Sequence, residues 1–573
     1  MTQAKDLTLL HPQVATRLLL KCVAPAPGYL SQVCHGDITY PEFIKFDNEL
    51  WKLWRTILGG VGGTEQLKLC NLGHTRARGW AYLPASCSGA GLSSWSAISK
   101  YSWFCSMAEC STQYDVDFEC SRAFRRADCE SAHLVALTEL GGPTYVNRAD
   151  LQFLPPEQTD VLVESNFYSE WHIDHKYSKV SKEFSKFLGL KHLKKLTCQD
   201  ELDFEHVTAS DSIRCLMARK LPGETVLTQL FTANLSDREA RLSKTEFIIS
   251  ARQFLCLPAL KIPRGEIVQL DCKCEAQKCP DVKCGGILID PAGNHALMCH
   301  PGLPAKKATL LERALERVFR KSGGRSERQP VTTKLLGEVV PEVVPKGDLA
   351  ALFPGGQNLE ESKKSGELAL ELVDALLMAP SATKDSVLDE IRERIPKLDE
   401  GQIEYNNTIR FDLCLSAPFP FDSPQQLWID HGIVHETSES YQESMVQHLE
   451  SGLAALSGEP FRRMESSKDR RFKSLINIAK HLQKQRLLDF QPSFLFPVVS
   501  ALGYLNADAQ NLTKFMSMVF NRTMDSSRDD GIALGVIKAR FKKEVRNALC
   551  FGVLRGNALA MGAVGRPFVS RPG

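Results

Sequence analysis

Six residues able to bind a soft metal fall within 28 positions: Cys272, Cys274, Cys279, Cys284, His295 and Cys299. Zinc takes thiolate and imidazole ligands in a tetrahedron, and paired ligands come from tight turns or from one turn of helix. His295 and Cys299 are four apart, which suits a helical turn. Two upstream pairs compete to complete the set, Cys272 with Cys274 and Cys279 with Cys284. The bland alternative is a group of reduced cysteines packed as small hydrophobes. Six such residues so close together argue for metal, in a structural role because no partner base stands nearby.

A second chemistry comes from two aspartates set among apolar residues. In Ile409–Leu415, Ile409, Phe411, Leu413 and Leu415 alternate with Arg410, Asp412 and Cys414. In Leu427–Val434, Asp430 shares a strand face with Trp428 and Gly432. Alternation with period two predicts two strands, and a loop from Ser416 to Gln426 returns the chain antiparallel. Asp412 and Asp430 then share one side of a hairpin and can hold a magnesium or manganese ion between them. Such an ion activates water for phosphodiester attack and steadies the leaving oxygen. Both aspartates could instead be polar residues on the solvated side of a sheet.

The segment after the hairpin, residues 462 to 486, holds nine basic residues against Glu465 and Asp469, a balance of +7. Leu475, Ile476 and Leu482 give it a helical face. Arg462, Arg463, Arg470, Arg471, Lys480 and Lys484 are candidates for contact with a nucleic-acid backbone. Lys468 and Lys473 are both placed to serve the aspartates. A second basic stretch, 176 to 195, has seven lysines against Glu183 and reads equally as a solvated helix face.

Around these residues the elements follow from periodicity. Phe43, Phe46, Leu50, Leu53, Trp54 and Ile57 predict a helix ended at Gly59-Gly60. Residues 242 to 258 predict a helix stopped by Pro258. Leu311, Ala314, Leu315, Val318 and Phe319 mark one face of a helix over Thr309–Lys321, ended by Gly323-Gly324. A strand is expected at Pro330–Leu336, an insertion over residues 346 to 400, and a further strand at Phe494–Val499.

The chain has 573 residues, too many for one core, so several domains are expected. Its formal charge of +2 supplies no global field, so any nucleic-acid binding must rest on local clusters. The 18 cysteines are scattered rather than framed, and Met1–Lys5 opens no signal peptide. A reduced compartment follows, nuclear or cytoplasmic rather than secreted, and no apolar run suggests a membrane span.

Several motifs, in order, resemble the C-terminal part of non-long-terminal-repeat retrotransposon reverse transcriptase proteins. Leu19–Leu30, the helix carrying Phe46-Asp47 and the stretch Ile57-Leu58-Gly59 are similar to the thumb of that family. Leu83-Pro84 and Gly89–Trp95 follow as a degraded version of its next motif. Glu246, Phe247, Arg252, Leu257 and Pro258 match the helix before its zinc knuckle. The knuckle motif resembles Cys284-Gly285 and Gly293–Cys299, and this resemblance favours Cys279, Cys284, His295 and Cys299 as the zinc ligands. Arg410-Phe411-Asp412, Ile429–Val434, Lys468–Lys473 and Phe494–Gly503 resemble its restriction-like endonuclease, with Phe411 in place of a proline.

The resemblance implies a multidomain chain: an α-helical N-terminal half, a small zinc knuckle, then an α/β domain with the αβββαβ core of PD-(D/E)XK nucleases. The expected segments are a thumb-like region (1–100), a helical region of unassigned role (101–258), the knuckle (259–303), the endonuclease-like domain (304–525) and a tail (526–573). The implied function is nicking of target DNA with a divalent metal, with DNA and RNA as partners. A catalytically inactive nucleic-acid-binding or scaffold remnant is the alternative. The polymerase palm and its Tyr-x-Asp-Asp motif are absent from the sequence, so no reverse transcriptase activity is expected.

Overall fold

The computed structural model describes residues 3–34, 36–59, 71–99, 225–255, 303–330, 411–417, 425–435, 459–484, 491–525 and 531–564, with a few single positions between them. The chain forms two compact units that alternate along the sequence. One comprises Met1–Gly223, Ser243–Val268 and Arg566–Gly573; the other comprises Glu224–Leu242 and Gln269–Gly565. Together they carry helices and a small mixed sheet. No described helix is long and apolar enough to cross a membrane. Among the described cysteines, Cys22, Cys34, Cys87, Cys414 and Cys550 are not joined in disulfides.

The first unit is helical. Helix α1 (Pro12–Leu18) starts on a proline, whose missing N–H is no loss in a first turn. It runs into a wide turn, Leu19–Val23, and is followed by α2 (Gly28–Val33), α3 (Gly36–Ile57) and α4 (Asn71–Tyr82). Phe43, Leu50, Leu53, Trp54 and Ile57 bury the face of α3 expected from their spacing, while Phe46 is half-buried. Asp47 lies on the same face and is fully buried. It accepts from the Trp95 and Ser96 amides at 3.1 and 3.0 Å and from the Ser94 and Ser96 hydroxyls at 2.9 and 2.6 Å. A helix starts at Trp95, so Asp47 caps it from a distant position; this set of donors offsets the cost of burying a carboxylate.

Helix α5 (Lys244–Phe254) opens with a capping box, Ser243 and Glu246 each accepting from the other's amide. Its Arg252 is buried and donates to the Leu58 carbonyl at 3.0 Å, closing the C-terminal end of α3.

The second unit is built on helix α6 (Leu303–Lys321), whose Leu311, Ala314, Leu315, Val318 and Phe319 are all buried. Strand β1 (Arg325–Arg328) follows, earlier than the strand expected at Pro330–Leu336. Arg325, Glu327 and Arg328 are exposed on this edge strand, so hydrophobic alternation could not reveal it. Residues 331–336 and the insertion 346–400 lie outside the described residues.

Strands β2 (Leu413–Ser416) and β3 (Gln425–Ile429) form the expected antiparallel hairpin. Then come β4 (Gly432–Val434), helix α7 (Glu459–Lys484), β5 (Gln491–Leu495), β6 (Val498–Ser500), α8 (Ala507–Asp525) and α9 (Gly531–Val564). The main sheet runs β1-β2-β3-β5, with β3 and β5 parallel. The β4–β6 pair keeps the same register, Ile429 opposite Leu495 and Gly432 opposite Val498. These four strands are thus one parallel ladder with a gap beside Pro497, which has no N–H to donate.

Helix α9 occupies much of the span read as a tail and packs along α6. A Cβ at Gly552 would sit 2.9 Å from Leu311 Cδ1, and one at Gly556 would sit 3.0 Å from Lys307 Cγ. Two glycines four apart therefore let the helix backbones approach closely. Residues 224–242 also belong to this unit. Glu239 accepts from Arg317 at 2.8 Å and pairs with Arg555 at 3.6 Å, while Asn547 donates to Asp237 at 3.1 Å. This short segment thereby ties α6 to α9.

Candidate metal and hydrolytic site

Leu413 stands opposite Ile429, so one further antiparallel step pairs Asp412 with Asp430. Phe411 anchors the first of them. It is fully buried, stacked on Phe472 of α7 with ring centroids 4.1 Å apart, and edge-on to Trp428 at 5.5 Å. An aromatic ring here fills the space between sheet and helix, so Asp412 follows a residue that cannot move without disturbing the core.

Asp430 sits in the ladder gap created by Pro497. Lys468 reaches it from α7, Nζ to Oδ2, at 2.5 Å. Gly432 makes room for that approach: a Cβ there would lie 2.9 Å from Met464 Cγ and 3.2 Å from Lys468 Cε. Of the two candidate lysines, Lys468 joins the aspartates, whereas Lys473 is exposed.

His431 was not singled out from sequence, yet it is at the centre of the site. Its backbone N–H donates to Asp412 Oδ2 at 2.8 Å, and its ring Nδ1 lies 2.8 Å from the same oxygen. Its Nε2 is 3.2 Å from the Ala308 carbonyl of α6. One turn further along α6, Glu312 completes a trio. Ligand atoms of Glu312, Asp412 and His431 lie within 4.8 Å of one another. One sequence signal marked Glu312: it falls on the buried stripe of α6, three before Leu315 and four after Ala308, where an apolar residue is expected. The contact with Asp412 spans 100 residues of chain and has no local signature.

The electrostatics divide the two aspartates. Burial would raise the Asp412 carboxyl, but the His431 charge and hydrogen bond, with Lys468 behind them, hold it down at about 2. Burial pushes the Asp430 carboxyl up to about 6; Lys468 offsets part of this and the Asp412 charge adds to it. The His431 ring resists charging because it is buried, yet Asp412 and then Glu312 raise its pKa above the ordinary value. Burial raises Glu312.

The basic helix forms as expected. Arg462, Arg463, Arg471, Lys473, Lys480 and Lys484 are exposed on α7, and Arg463 lies over the Tyr441 ring at 5.5 Å. The Arg470 side chain lies outside the described residues, as do Cys272, Cys274, Cys279, Cys284, His295 and Cys299. The basic stretch 176–195 is also outside them, except for the buried Leu193. No protein-family model matches the chain, and no curated protein matches it.

Proposed function

We propose that the second unit is a divalent-cation-dependent DNA endonuclease of the PD-(D/E)XK type. We also propose that the chain derives from the C-terminal part of a non-long-terminal-repeat retrotransposon protein. The observation that carries the reading is Asp412 across from Asp430 with Lys468 on the second acid. Helix α6, strands β1 and β2, the interrupted strand β3–β4, helix α7 and the interrupted strand β5–β6 follow in the order αβββαβ when each interrupted pair is taken as one strand. In the first unit, the thumb-like motif residues Asp47, Ser94 and Trp95 meet through hydrogen bonds, which supports the wider resemblance.

A magnesium or manganese ion at Asp412 would supply Lewis acidity and a bound water near neutral pH. Lys468 steadies the scissile phosphate or the attacking water, and Asp430 keeps that ammonium in place. The exposed arginines and lysines of α7 bind the phosphate backbone without reading sequence. Zinc at Cys279, Cys284, His295 and Cys299 belongs to the same reading, as a structural knuckle.

The experiment is nicking of supercoiled plasmid by the full-length chain with Mg²⁺ or Mn²⁺. Wild type should nick, while Asp412→Asn and Lys468→Ala should lose at least about a hundredfold in rate, the scale of removing one electrostatic catalyst. A folded protein that binds DNA and nicks with neither ion overturns the enzyme reading.

A second reading has its own observation. Both acids already have internal cationic partners, Lys468 on Asp430 and His431 on Asp412. On that reading the unit is a binding or scaffold remnant, and α7 carries its affinity for DNA or RNA.

A further inference from the structure

The expected cation ligands are two carboxylates, Asp412 and Asp430. The geometry favours a different set. Asp430 is engaged by Lys468, whereas Glu312 is 3 % exposed and makes no hydrogen bond or ion pair with any described residue. Its carboxylate is aimed at Asp412 and His431 instead. A buried carboxylate with no hydrogen-bond donor among the described residues is costly, and a bound cation beside it offsets that cost.

The orientation of His431 points the same way. Histidines that bind metals through one ring nitrogen usually donate the other N–H to a carbonyl or carboxylate, which fixes the tautomer. Here Nε2 faces the Ala308 carbonyl at 3.2 Å and Nδ1 lies 2.8 Å from Asp412 Oδ2, so a cation entering the trio would take the place of the Nδ1 proton. Ala308 and Glu312 are one turn apart on α6, so a single helix provides one ligand and orients another.

We infer that Glu312, Asp412 and His431 form a cation site whose nitrogen ligand selects a first-row transition ion, Mn²⁺ or Co²⁺, over Mg²⁺. The inference deepens the nuclease reading by naming the ligands and the ion class. Its reason is chemical: Mg²⁺ favours oxygen ligands and retains its waters, while affinity for a nitrogen ligand rises along the first-row divalent ions from Mn²⁺ through Co²⁺. Asp430 then serves as the seat of Lys468 and not as a ligand.

The test uses the full-length chain with Mn²⁺ as the probe, read by pulsed electron paramagnetic resonance and by competition with Mg²⁺. Bound Mn²⁺ should show nitrogen coupling from an imidazole. His431→Gln should remove that coupling and reduce the preference for Mn²⁺ over Mg²⁺ about tenfold or more, and Glu312→Gln should weaken Mn²⁺ binding by a similar factor. Asp430→Asn should keep both the ion and the coupling. Glu312→Gln preserves volume, so it keeps the test decisive if His431→Gln does not fold. Bound Mn²⁺ without nitrogen coupling, loss of Mn²⁺ in Asp430→Asn, or no Mn²⁺ binding at all would each overturn the inference. Nitrogen-coupled Mn²⁺ without nicking leaves this site standing and removes the nuclease. Nicking by a protein whose Mn²⁺ shows no nitrogen coupling does the reverse.

Discussion

Lys468 and Gly432 are coupled by space: the lysine stem passes so close to the glycine that a Cβ there would stand 3.2 Å from Lys468 Cε. The ammonium at its end holds Asp430. Gly432→Ala should therefore displace α7 or bend Lys468 away from the acid. Overpacking of this kind costs about 1–3 kcal/mol. Urea unfolding measures that loss, and nicking should fall further than stability alone explains. A variant with wild-type nicking and wild-type stability would show that the helix yields without moving the lysine.

Phe411 stands where the resembling family has proline, and its burial against Phe472 makes it a structural anchor. Phe411→Ala should destabilise the unit by about 3–5 kcal/mol, as for other buried aromatics cut to alanine. Phe411→Leu should lose less. Denaturant unfolding of both variants checks the order.

Glu239 is almost fully buried between Arg317 and Arg555. Glu239→Ala leaves cationic partners without their acid and removes a tie between α6 and α9. The expected cost is about 1.5–3 kcal/mol, the scale of a hydrogen bond to a charged group, because Arg317 is half-exposed and Arg555 keeps its backbone carbonyls. A double-mutant cycle with Arg317→Ala should show coupling, because Arg317 alone remains half-exposed.

His435 gives the unit a sensitivity to acid. Burial first, then the nearby Lys307 ammonium, lowers its pKa to about 3 from an ordinary 6.5. Lys307 Nζ lies 3.4 Å from His435 Nε2 and donates to the Leu297 carbonyl at 2.6 Å. Between pH 3 and 6.5 the unfolded chain binds more protons at this residue than the folded one. Its contribution to stability is complete above pH 6.5 and is lost as pH falls toward 3. His435→Gln should flatten the acid limb of a stability–pH curve measured in urea. An unchanged limb would assign the acid sensitivity to other groups.

Much of the site was legible in the sequence, because its signals are local. Alternation placed Asp412 and Asp430 on a hairpin, and the apolar stripe of α6 is buried residue for residue. Lys468 was one of two candidates; only the path of α7 past Gly432 separates it from Lys473. Glu312 and His431 were missed because their meeting depends on how α6 crosses the sheet, which no local pattern encodes. Strand β1 was not expected, because an exposed edge strand of arginine and glutamate has no apolar alternation. Helix α9 was read as a tail because its apolar residues run around the helix and do not form one stripe.

The close seating of Gly552 on Leu311 has a consequence for how the protein is made. The two residues are 241 positions apart, 552 less 311. The helix bearing Ala308 and Glu312 therefore emerges from the ribosome long before the helix that covers its back. At about 5–20 residues per second, the delay is on the order of 10–50 seconds, during which Leu311 and its neighbours lack their final cover. Contacts this distant along a chain also form slowly once both partners exist. The packing of α6 against α9 is thus a late event in the making of this unit.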